Sequence, residues 1–370
     1  MASSATKPIL ILGGGLIGLS IAHALADEGR EVEILSRRRS EAAGFVAAGM
    51  LAPHAEGLNK TILKLGQMSQ AEIPEWIAGI EKSSGINCGL KQCGIVVPFI
   101  NSQERDEYET ASFGEILSRN QLEQEIPGIA SHWKTGLLFE QDGQIDNRRR
   151  LMRALEKACF EKGVHFQEGV EIIEILTSED KFQGVLVKNI ENELEEIHAE
   201  AAVLCCGAWS QIIVDNVKIH PVKGQLLSIQ GPKNSLKRIL FGPGIYLVPR
   251  DDGLIIVGAT SEKEALFNQG ITPSGQRELR EGIKNLLPIA NNWPQMERWW
   301  GFRPCTPDTN PIIGKTSWEG LWIATGHYRN GVLLAAITSK IIRKSICDMT
   351  FSPQENTFLR EFSLQRFKNK

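Results

Sequence analysis

The chain of 370 residues holds seven cysteines, Cys88, Cys93, Cys159, Cys205, Cys206, Cys305 and Cys347, with no CxxC pair among them. An odd number cannot all pair within one chain, a pattern that suits a reducing cytosol and hence a cytoplasmic location. Charge of one sign is also scarce. The formal net charge is -3 and the one basic cluster, Arg37 to Arg39, is three residues long, so no nucleic acid is expected as a partner. The opening MASSATKPILIL has neither a charged n-region nor a cleavage site before its apolar run. That run, like AAVLCCGA at 201–208, is far too short to cross a bilayer, so no membrane is expected either. Repeats and low-complexity segments are absent. No histidine sits in a pattern that would form a triad or a metal site, and no metal is assigned.

What is present is a 42% hydrophobic composition, ample for a large core, in a chain longer than one ordinary domain. Two interleaved domains are expected. Ile9 to Leu12 is a continuous apolar run, as in a strand buried on both faces, and Leu16 to Leu25 has apolar residues at helical spacing. With a second strand at Val32 to Leu35, the βαβ unit closes within about thirty residues. Between roughly residues 65 and 140 the pattern is mixed, with helices expected around Gln70 to Lys82 and Glu104 to Leu122. Strands of the first type return in VHFQEGVEIIEI and AAVLCCGAWS. Residues 218 to 304 then alternate short strands with one helix, and LWIATGHYRNGVLLAAITSKIIRKSI reads strand, glycine-bearing turn, long helix. The resulting fold class is α/β: a Rossmann-like nucleotide domain from residues 1–80, 141–217 and 305–370, interleaved with an α+β substrate domain, 81–140 and 218–304, carrying a mostly antiparallel sheet.

GGGLIG fits GxGxxG with Gly13, Gly15 and Gly18. Such glycines permit a tight turn, close approach of backbone to a pyrophosphate and close helix packing, and the helix N-terminus favours negative charge. The second strand ends on Ser36, where an acid usually accepts the adenosine 2′-hydroxyl. Arg37, Arg38 and Arg39 could clamp a 2′-phosphate, which would mean NADP. A serine beside an ordinary ribose, with a solvated basic turn, fits the segment equally well. FVAAGMLAPHAEG brings Ala47, Ala48, Gly49 and Met50 together, leaving room for a flat ring such as a flavin; a tightly packed helix start with a core Met50 fits the same composition.

The blocks GGGLIGLSIAHALA, AAGMLAPHAE, CCGAWS, VKGQLL, YLVPRDDGLIIVGAT, GFRPCTPDTNPIIG and ATGHYRNGVLLAA occur in the order and approximate spacing of the D-amino-acid oxidase superfamily. They resemble most closely its glycine oxidases of thiamine biosynthesis, over nearly the whole chain. The resemblance implies noncovalent FAD, which makes the Rossmann-like domain an FAD-binding domain and favours an ordinary ribose beside Ser36.

By the same resemblance Arg303 binds the substrate carboxylate, with Tyr246, Arg329 and Met50 around the substrate. Cofactor contacts fall to Gly13, Gly14, Gly15, Leu16, Ile17 and Gly18, to Ser36 and Arg37, and to Ala47, Ala48, Gly49 and Met50. Val170 is expected against adenine, Gly207 and Trp209 beneath the cofactor, and His327, Tyr328, Arg329, Asn330, Gly331, Val332 and Leu333 near the flavin. His327 tempts one toward a base, but a backbone contact or a packed histidine is the expectation. No side chain is assigned as catalytic, because hydride passes from the substrate α-carbon to flavin N5. Some relatives attach flavin through a cysteine at the position of Gly301, so no covalent link is expected. Gly244 departs from a histidine found near this point in some glycine oxidases and leaves the breadth of the pocket open.

The implied activity is oxidative deamination of glycine, sarcosine or a small D-amino acid, with O2 reduced to H2O2, in a homotetramer that serves the thiazole branch of thiamine biosynthesis. Rival readings are a D-amino-acid dehydrogenase or sarcosine oxidase of the same superfamily, an NADP-dependent oxidoreductase, and a nonenzymatic flavin-binding module.

Overall fold

A computed structural model of the protein describes residues 7–214 and 217–367. Residues 1–6, which carry most of the N-terminal reading, and residues 215–216 and 368–370 of the proposed FAD-binding domain lie outside the described residues. The first βαβ unit comprises β1 (Ile9–Leu12), α1 (Leu16–Asp27) and β2 (Val32–Ser36). All four residues of β1 are buried, because helices or strands cover both faces of its sheet. That sheet has six strands in the order Ile312–Lys315, Leu321–Thr325, Ala202–Leu204, β1, β2, His165–Glu168, parallel throughout except at the 312–315 edge. The long helices Lys60–Ser84 and Gly331–Ile346 pack on one face with α1 and Met152–Glu161.

A second sheet of eight strands is mostly antiparallel, in the order 295–305, 220–230, 254–258, 246–249, 239–241, 95–99, 135–139, 115–117. The helix Pro273–Leu286 lies on it, with Thr272 accepting from the Gly275 N–H as its cap. The α/β class with a Rossmann-like unit and a separate antiparallel sheet is therefore observed.

Two local expectations need correction. The helix expected over Glu104 to Leu122 is broken into Ser102–Asp106, a strand Glu115–Leu117 and Arg119–Glu125. Ser118 and Gln121 form a reciprocal capping box that starts a new helix, and a side chain at Gly114 would lie 3.0 Å from the Phe139 ring. VHFQEGVEIIEI is two strands, because Gly169 turns the chain at φ +84° and sends Glu171–Ser178 into a separate three-stranded antiparallel sheet. Among the described residues no helix is long and apolar enough to cross a membrane.

Candidate functional site

A cavity of about 430 Å³ is lined by residues of both large sheets. Its nucleotide end is the turn after β1. Gly13 has φ +118°, and a Cβ there would lie 2.6 Å from the Cys205 carbonyl oxygen. Gly13, Gly14, Gly15, Leu16 and Ile17 line the cavity, and no side chain caps α1 at Gly15, which leaves its first-turn N–H groups without a side-chain acceptor. Gly18 is absent from the wall. A Cβ at Gly18 would sit 2.0 Å from the Gly13 carbonyl oxygen, so this glycine lets helix and turn touch and does not meet a ligand itself.

Ser36 is buried at the end of β2, lines the cavity, and accepts at its carbonyl from the Val170 N–H at 3.1 Å. The three arginines beside it are already partnered. Arg37 meets Glu41 at 2.7 Å and Glu171 at 3.4 Å, Arg38 meets Glu41 at 3.1 Å, and Arg39 meets Glu156 at 2.6 Å and Glu168 at 2.5 Å. A 2′-phosphate would have to displace these carboxylates, so the segment is no ready phosphate clamp. Glu41 itself lines the cavity and brings to this end the acid that β2 lacks. Arg37 also lies over the Trp209 ring, 5.2 Å from its centroid; Val170, Gly207 and Trp209 complete the wall.

The flat wall of small residues is pinned from outside. Asn147 donates to the carbonyls of Gly44 and Ala47, and Trp299 Nε1 donates to that of Val46 at 2.9 Å. Gly301 lies against Val46, whose Cγ2 would be 2.5 Å from an added Cβ, so the position of the covalent cysteine in some relatives has no room here for a side chain. Gly49, at φ +88°, passes Ile145 so closely that a Cβ would meet its carbonyl oxygen at 2.1 Å. Ala47, Ala48, Gly49 and Met50 all face the cavity. Cys305 is buried and is not part of the wall.

At the far end stand Arg303, Tyr246, Arg329 and Glu56. Arg303 projects from the strand Gln295–Cys305 and lies across Gly224 of the neighbouring strand, where a Cβ would be 2.5 Å from both terminal guanidinium nitrogens. One of these nitrogens donates to the Thr260 carbonyl at 3.0 Å. Burial lowers its pKa from the ordinary value, opposed by the nearby tyrosines and Glu56. Tyr246 rests in the same way on Gly258, where a Cβ would be 2.4 Å from the phenol oxygen, and burial pushes its pKa up to about 12, keeping the hydroxyl protonated as a donor. Arg329 arrives because Tyr328 N–H bonds the Pro304 carbonyl at 2.9 Å and His327 bridges Cys305, tying this loop to the end of Arg303's strand.

His327 is a packed histidine. Its Nε2 lies 3.0 Å from the Thr338 hydroxyl, and burial lowers its pKa to about 3, so it stays neutral. Tyr328, Gly331 and Val332 line the cavity at the uncapped N-terminus of the 331–346 helix. Asn330 and Leu333 do not. Asn330 is the residue before the first turn, and helical periodicity turns Leu333 away into the core beside Gly66 and Ser69. Gly244 lines the cavity with nothing within 4 Å of where its Cβ would be, so the space near it is open.

Reading motifs left out Glu41, Glu56, Gly224 and Gly258. Gly224 lies within VKGQLL, and the signal available is a glycine in the interior of a strand, which marks close approach of another group. Gly224→Ala is expected to displace the Arg303 guanidinium and raise the substrate KM by roughly 10- to 100-fold, while bound cofactor is retained; steady-state kinetics beside a cofactor spectrum checks this.

A family model described as FAD dependent oxidoreductase (DAO) matches residues 8–344. The bifunctional protein ThiO/ThiG of Trichormus variabilis is 37% identical over 373 residues, covering 98% of this chain and 55% of that protein. Glycine oxidase of Geobacillus kaustophilus is 28% identical over 375 residues, covering 97% of this chain and 96% of that one. The crystal structure of glycine oxidase from Geobacillus kaustophilus superposes with a TM-score of 0.88 at 26% identity, over 97% of this chain and 98% of that chain. This chain thus spans about half the length of the bifunctional relative and nearly all of the glycine oxidase.

Proposed function

Because the chain belongs to the FAD dependent oxidoreductase (DAO) family, we propose that it oxidises glycine, or an amino acid of similar size such as sarcosine or a small D-amino acid, to the imino acid with O2 as acceptor. The observation that carries this is the convergence of Arg303, Tyr246, Arg329 and Glu56 at one end of the cavity whose other end is the glycine turn. Two guanidinium groups and one carboxylate complement a zwitterion with one carboxylate and one ammonium.

The residues present fit FAD. The glycine turn and the uncapped start of α1 offer backbone N–H groups to a pyrophosphate, Ser36, Glu41 and Val170 face the adenosine end, and the wall from Ala47 to Met50 has no bulk to keep a flat ring away. When bound, FAD supplies a two-electron acceptor that is reoxidised by dioxygen. Arg303 holds the substrate carboxylate and Tyr246 donates to it, which fixes the α-carbon in one orientation. The N-terminus of the 331–346 helix, at the cavity wall, favours negative charge developing near it.

A role in the thiazole branch of thiamine biosynthesis and a homotetramer belong to the same proposal and are supported by the family resemblance, and a cytoplasmic location is supported by the seven cysteines with no CxxC pair. An oxygen electrode with glycine, sarcosine, D-alanine and L-alanine tests the activity. The expected result is oxygen uptake with glycine and sarcosine and an equal yield of peroxide. Flavin reduction by these amines without oxygen uptake would make the protein a dehydrogenase instead.

A further inference from the structure

We propose that Glu56 receives the proton of the substrate's ammonium group, leaving the neutral amine from which the α-hydrogen departs. This rests on the amino acid reading above and deepens it. The turn that carries Glu56 is held from behind. Asp142, fully buried, accepts from the N–H groups of His54 at 3.2 Å and Ala55 at 2.8 Å and pairs with His54 Nδ1 at 2.7 Å. Thr110 donates to the His54 carbonyl and Tyr108 to that of Ala55, each at 2.6 Å. The Glu56 N–H closes the turn on Ala52 at 3.1 Å. So much fixed backbone leaves one side chain of the turn facing the cavity, and the Glu56 carboxylate makes no hydrogen bond or salt bridge among the described residues.

Its surroundings suit a base more than a permanent ion pair. Arg303 faces it from the strand 295–305, Arg329 from the loop before the 331–346 helix and Tyr246 from the strand 246–249, while Asp142 and Tyr108 stand behind it and His54 on its own turn. Burial raises Glu56 to about 7, with Asp142 pushing the same way and Arg329 and Arg303 pulling down. A carboxylate near 7 accepts a proton at neutral pH and can return it to solvent. The other acids of the cavity wall are elsewhere, Glu41 and Glu171 at the nucleotide end and Glu278 on an exposed face of the helix 273–286.

The step balances without a further reactant. One N–H bond of the ammonium breaks, its electron pair stays on nitrogen, and an O–H bond forms on Glu56. That pair is then free to become the second bond of the imine, and the α-hydrogen with its two electrons would go to the two-electron acceptor that FAD supplies when bound.

The test is the pH dependence of anaerobic flavin reduction by glycine in the FAD-loaded protein and its Glu56→Gln variant, with acetate as a probe that has the carboxylate and no amine. Wild-type kcat/KM should rise with pH through about 7, as Glu56 loses its proton. In Glu56→Gln the rate at neutral pH should fall by about 10²- to 10⁴-fold and that limb should vanish, with recovery at alkaline pH where the amine is neutral in solution. Acetate affinity, read from the flavin absorbance change, should stay within roughly 2-fold, since the guanidinium groups are untouched. A variant that keeps the wild-type pH profile overturns the proposal, and so does one that loses acetate and glycine affinity alike. If Glu56→Gln does not hold FAD, Glu56→Asp should keep the acidic limb at a reduced rate; a profile without the limb would contradict the proposal. Wild-type flavin that no small amine reduces would instead sink the amino acid reading itself.

Discussion

Arg303→Ala is expected to raise the KM for glycine by about 10²- to 10³-fold while FAD remains bound, because a charge-assisted carboxylate contact is lost in a site shielded from water. The guanidinium is braced by Gly224 beneath it and by the Thr260 carbonyl, so its position is fixed before substrate arrives. Removing it leaves Arg329 as the remaining guanidinium at that end. A lysine should restore little of the loss, since a point charge cannot make a fork of two parallel hydrogen bonds. Kinetics with glycine, beside the flavin spectrum of each variant, checks both statements; an unchanged KM would remove Arg303 from substrate binding.

The second large effect separates two glycines of one turn. Gly15→Ala should fold like the parent and lose most of its FAD affinity, about 100-fold, because a methyl there meets only the Ala42 Cβ at 3.4 Å within the protein but stands where backbone approaches pyrophosphate. Gly18→Ala should lose thermal stability even without FAD, since its methyl would lie 2.0 Å from a carbonyl oxygen of the turn. Melting curves of the apoproteins and FAD titration of each distinguish the two. Equal stability with equal FAD binding in both variants would contradict this division of roles.

The glycine turn was legible in the sequence because strand, turn and helix are contiguous, and their apolar pattern needs no distant partner to be read. Arg37 to Arg39 show the limit of such reading. Three adjacent cations suggest a phosphate clamp until Glu156, Glu168 and Glu171, more than a hundred residues away, are found beside them. Arg303 and Tyr246 were accessible through motif resemblance. The glycines that support them were not, since Gly224 and Gly258 matter through what lies across the sheet. Glu56 was hidden for the same reason: its environment is made by Arg303, Arg329 and Asp142, which the fold gathers from three distant segments. The break within Glu104 to Leu122 is different, because the capping pair Ser118 and Gln121 that starts the second helix is a local signal, three residues apart, and needs no distant partner to be read.

The most direct test of one cavity serving both flavin and amino acid is an anaerobic titration of the purified, FAD-loaded protein with glycine, followed in the visible spectrum. The expected result is bleaching of the oxidised flavin bands by glycine and their return on admitting air. Flavin bands that neither glycine nor sarcosine bleaches would contradict the amino acid oxidase reading, and a protein that takes up no FAD at all would contradict the site.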